Sequence, residues 1–92
     1  MEQWRDMTRW VQVQYRMSEA DVLELLGHPH RAEESGYERR TYWYGQPKTA
    51  DPTELRKVCG RVQFVRDGPR DAYRVREWET PKFALLPDED PA

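Results

Sequence analysis

Apolar and polar positions divide the 92-residue chain into a helical first third and a strand-rich remainder. Over residues 3 to 15, Trp4, Met7, Trp10, Val11 and Tyr15 recur at spacings of three and four, the repeat of an amphipathic helix. The end of that run, Val11-Gln12-Val13-Gln14-Tyr15, alternates apolar and polar, so the helix is expected to give way to extended chain before Arg16. A second helix carries its own end signals. Ser18 can cap it, Asp21 three residues on approximates a capping box, and Glu19 and Asp21 suit the positive end of the helix dipole. Val22, Leu25 and Leu26 form its apolar stripe, Gly27 suits a left-handed termination, and Pro29 forbids continuation.

Three strands are predicted after this helix. Residues 37–44 are rich in aromatics and bounded by Gly36 and Gly45; with Tyr42 and Tyr44 facing the helices, Arg39, Thr41 and Trp43 face away. Residues 58–66 place Val62 and Phe64 inward, with Arg61, Gln63 and Val65 outward. A turn over residues 67–71, containing Asp67-Gly68, leads to a strand over 72–79 with Tyr73 and Val75 inward and Arg74, Arg76 and Trp78 outward. Between the first two strands, Asp51 and Pro52 suit the start of one helical turn. The fold expected is α+β, two helices packed on one face of a three-stranded antiparallel meander in the order α-α-β-β-β. One domain spans residues 1–81, and a partly disordered acidic tail spans 82–92.

Composition supports a folded domain in spite of its polarity. A charged fraction of 35% and a mean hydropathy of -1.09 would suit a disordered chain, but four Trp, five Tyr and two Phe can build the core that a chain this short needs. Fifteen basic and seventeen acidic residues leave a formal charge of -2, which gives no global attraction to nucleic acid or an anionic membrane. The N-terminal MEQWRDMTRW lacks the apolar core of a signal peptide, and no apolar run approaches a membrane span, so a cytoplasmic location is expected. Cys59 stands alone and reads as a spectator thiol.

The run Trp10, Val13, Met17-Ser18-Glu19-Ala20-Asp21-Val22, Leu26-Gly27 and Pro29, then Tyr42-Trp43-Tyr44-Gly45, Val62-Gln63-Phe64 and Asp67-Gly68, resembles the SmpA/OmlA (BamE-like) domain family. The resemblance spans residues 10 to 78. It implies two helices on a three-stranded antiparallel sheet, a fold used for protein contacts and similar to the helix-on-sheet unit of the β-lactamase inhibitor proteins. Arg16 stands where the family pattern has glycine, and the signal peptide and lipidated cysteine of its lipoprotein members have no counterpart here, so a role in barrel assembly is not implied.

No catalytic constellation emerges. His28 and His30 flank Pro29, but a transition-metal site needs three or four convergent ligands, and only Cys59 could join them. Ser18 reads as a cap rather than a nucleophile, and Glu33 and Glu34 point apart if that segment is an extended loop. A non-catalytic protein is expected, with no metal, no cofactor and no evident small-molecule substrate.

The sharper feature is the outer sheet face, where Arg39, Trp43, Arg61, Gln63, Arg74, Arg76 and Trp78 are expected together. Arginine stems covering tryptophan rings would explain them as ordinary surface packing. Trp and Arg also dominate protein-interface hot spots, so a partner protein or a second copy is the functional expectation. Single-stranded nucleic acid is an alternative ligand for the same face, and inhibition of a partner enzyme is another reading. The acidic Asp88-Glu89-Asp90 could compete for the arginines or simply be solvated.

Overall fold

Asp6 splits the first apolar repeat in two. In the computed structural model, which describes residues 3–45 and 59–83, its carboxylate accepts from the Thr8 backbone N–H at 2.9 Å and from the Thr8 hydroxyl at 2.5 Å. That geometry caps a new helix and interrupts the preceding one. A 3₁₀ turn (Gln3–Arg5) therefore precedes a single helical turn, α1 (Met7–Trp10), and the one continuous helix expected from residue 3, giving way to extended chain before Arg16, is not formed. Trp4, Trp10 and Val13 turn into the core, whereas Met7, Val11 and Tyr15, read as part of the same stripe, are exposed.

The second helix, α2 (Glu19–Leu26), obeys its end signals. The Ser18 side chain accepts from the Asp21 N–H at 3.1 Å, Gly27 closes the helix at φ 81°, and Val22 and Leu26 are fully buried. Leu25 is only partly buried beside them.

Among the described residues the sheet is antiparallel and contains four strands in sequence order, β1 (Arg31–Ser35), β2 (Arg39–Tyr44), β3 (Gly60–Val65) and β4 (Arg74–Glu79). The α+β class stands, and the three-stranded count is corrected by β1. Residues 31–35 have no apolar alternation because every one of them is exposed; hairpin pairing to β2, from Arg31 opposite Trp43 to Ser35 opposite Arg39, makes the strand. Gly36, at φ 63°, takes the left-handed conformation that turns this hairpin. At the opposite edge, Arg16 N–H donates to the Val75 carbonyl at 2.7 Å and Val75 N–H to the Met17 carbonyl at 2.9 Å, so residues 16–18 cover part of β4.

Tyr42, Tyr44, Val62, Phe64 and Val75 line the inner face and meet Trp4, Trp10, Val13, Val22 and Leu26 in one core. Trp10 meets Tyr44 edge-on at 5.6 Å, and Tyr42 meets Phe64 at 4.8 Å. Gly60 allows a close approach between the layers: a Cβ there would lie 2.6 Å from both Pro81 Cγ and Trp10 Cζ2.

A register shift between Gln63 and Phe64 changes the reading of β4. Phe64 pairs with Val75 but Gln63 pairs with Glu77, so Arg76 is the extra residue of a β-bulge. Beyond the bulge Trp78 pairs with Val62 and joins the inner register, correcting its expected outward placement. The helical turn expected near residues 51–55 and the acidic residues 88–90 lie outside the described residues. No described helix is long and apolar enough to cross a membrane.

Candidate functional site

Pairing across the sheet builds the outer face in three rows. At the β1–β2 turn end lie Ser35, Arg39, Val65 and Arg74; in the middle lie Glu33, Thr41, Gln63 and Glu77; at the far end lie Arg31, Trp43, Arg61 and Glu79. Arg39, Trp43, Arg61, Gln63 and Arg74 thus share the face expected of them. Arg76 reaches it from the bulge, lining with Arg39, Gln63 and Glu77 a shallow cleft of about 390 Å³. Trp78 does not share it, and it is 37% exposed on the inner register.

Charge on this face is unevenly paired. Arg31 Nε lies 2.7 Å from Glu33, and Arg61 Nη2 lies 3.8 Å from both Glu77 and Glu79. Arg39, Arg74 and Arg76 have no ion-pair partner among the described residues. Trp43 occupies the outer register but is only 7% exposed, and its buried indole Nε1 has no hydrogen-bond partner among the described residues. It contributes a wall to a second cleft, with Glu33, Thr41, Arg61 and Glu79, and presents little ring to a visitor.

The acidic members Glu33, Glu77 and Glu79 are absent from the sequence-based site. Glu33 lies in a segment with no apolar pattern to mark it as a strand, and nothing local marks the bulge that brings Glu77 and Glu79 onto this face. Arg76 is neither glycine nor proline, the residues that usually announce such a site.

A denser polar cluster sits on the inner side, where α2 meets β2. Arg40 Nη1 reaches both Glu19 oxygens at 2.8 and 2.9 Å, and its other guanidinium nitrogens bond Glu34. Tyr42 donates its hydroxyl to Glu19 at 2.5 Å. The Arg40 guanidinium, held charged chiefly by the Glu19 hydrogen bond, also lies 4.4 Å from the Tyr73 ring centroid. Burial, reinforced by the Glu19 carboxylate, pushes the Tyr42 phenol up to about 12. Every polar partner here is supplied by the protein, so the cluster reads as a clamp between helix and strand.

The remaining candidates are occupied by the fold. Cys59 is buried with its Sγ 3.4 Å from the Gly45 carbonyl, and burial raises its thiol pKa. His30 Nδ1 accepts from the Gly45 N–H at 2.9 Å, and its ring meets Trp4 edge-on at 5.3 Å. No group of three or more His, Cys, Asp or Glu side chains suited to a metal occurs among the described residues. Comparison with known proteins returns no matching family model, no matching curated protein and no matching solved structure.

Proposed function

We propose that this chain is a non-catalytic protein-contact module whose outer sheet face meets an acidic surface on a partner protein, in a BamE-like helix-on-sheet arrangement extended by β1. The observation that carries the reading is Arg39, Arg74 and Arg76 standing without ion-pair partners among the described residues, on a face where neighbouring arginines are matched to glutamates. Arginine suits such a contact because its weakly hydrated planar fork pairs bidentately with carboxylates.

The tryptophans are poor probes of this face, since truncating Trp43 would disturb packing as well as any contact and Trp78 lies on the other register. Charge reversal at exposed arginines separates the two effects. Pull-downs with wild type and with Arg39→Glu/Arg76→Glu, both nuclease-treated, are expected to show a partner lost in the variant while its melting temperature is unchanged. Retention of the same partner by the folded variant would rule out this face, and a nuclease-sensitive partner would redirect the reading to nucleic acid. Light scattering on the purified protein distinguishes a second copy from a foreign partner.

A further inference from the structure

Arg16 is the one described non-glycine residue with a positive φ, at 70°. A long side chain is rare in that conformation, which costs on the order of 1–3 kcal/mol and tends to persist at functional positions. Its backbone N–H is tied to Val75 at the covered edge of β4. That edge borders a cleft of about 340 Å³ lined by Arg16, Arg66, Arg74 and Arg76.

Two aspartates, Asp67 and Asp71, line the same cleft, leaving an excess of two positive charges among its lining residues. Arg66 is engaged, its Nε bonding the Tyr37 carbonyl and its guanidinium lying 4.4 Å from the Tyr73 ring centroid. Arg16, Arg74 and Arg76 have no ion-pair partner among the described residues. Tyr15, 61% exposed, adds an aromatic ring to the lining.

We infer that this cleft binds a phosphate monoester as its dianion. The excess charge matches one such group, and arginine forks match its oxygens. Asp67 and Asp71 oppose a long polyanion, and the volume suits a compact ligand. The cleft shares Arg74 and Arg76 with the proposed protein-contact face, but Arg16 belongs to none of the four strands that build that face, so Arg16→Gly tests the cleft apart from it.

The test is an NMR titration of the full chain with inorganic phosphate, AMP and oligothymidylate as separate probes. Saturable amide shifts are expected at residues 15–17, 65–67 and 71–76 with the first two probes. Arg16→Gly should weaken AMP binding about tenfold or more, as expected for loss of a charge-assisted contact, while raising the melting temperature by a few degrees through relief of backbone strain. Loss of binding together with a gain in stability identifies a residue kept for its ligand. AMP affinity should fall below pH 6 as the monoester gains a proton near its second pKa of about 6. Equal affinity for phosphate and AMP would make the phosphoryl group the whole determinant; tighter AMP binding removed by Tyr15→Ala would make the ligand an ester carried on a ring.

Absence of saturable shifts, or unchanged AMP affinity in both Arg16→Gly and Arg74→Gln/Arg76→Gln, would overturn the inference. Tighter binding of oligothymidylate with a steep salt dependence would overturn it in favour of a nucleic-acid groove.

Discussion

Glu19 connects the start of α2 to the sheet, accepting from Arg40 and Tyr42 at once. Glu19→Gln weakens both contacts and leaves Arg40 paired only with Glu34, so a loss of about 1–3 kcal/mol is expected in denaturant unfolding. The Tyr42 phenol carries a pH signature. Its pKa rises from 10.0 to about 12 in the fold, so the unfolded chain releases this proton first. Stability from this group is therefore present below pH 10 and lost as pH rises through 12, with buried Tyr44 acting in the same direction. Circular dichroism and phenolate absorbance should show alkaline unfolding in this window, with a shallower stability loss in Tyr42→Phe.

At the scale of elements, the β4 bulge decides which face of the sheet each side chain after Arg76 takes. Trp78 shares the Val62 register but is exposed and outside the core cluster, so Trp78→Ala is expected to cost no more than about 1 kcal/mol. A loss of several kcal/mol in denaturant unfolding would show that Trp78 is packed more deeply than its 37% exposure indicates. Gly60→Ala tests the close approach of β3 to α1, because its new methyl meets Trp10 and Pro81 at 2.6 Å. Overpacking there should cost about 1–3 kcal/mol. The β1 strand illustrates the opposite balance. Its fully exposed Arg-Ala-Glu-Glu-Ser contributes little apolar burial, and its charges protect an open edge against unwanted pairing.

For the whole molecule, Trp4 ties distant parts of the chain together. Its carbonyl accepts from Trp10, its ring meets His30 edge-on, and it stacks on Phe83 at 6.4 Å just after the sheet ends. Trp4→Ala is expected to cost about 3–5 kcal/mol, the usual range for a buried tryptophan. Far-UV circular dichroism and tryptophan fluorescence should move together if the described elements unfold around one core. Separate transitions would show that the N-terminal turn is an independent unit.

What the sequence determined by itself was local and short-range: the Ser18 cap, the Gly27 stop, the inward Tyr42, Tyr44, Val62 and Phe64, and the α+β class. Each follows from capping chemistry or a two-residue alternation legible within a few positions. Tertiary structure decided what no such window contains. Pairing to β2 made a strand of residues 31–35, and the register shift put Trp78 on the Val62 register and Glu77 and Glu79 on the outer face. The β4 edge set Arg16 in a left-handed conformation beside three other arginines. Strand pairing and register are relations between distant segments, and a bulge built on an arginine leaves no local mark in either.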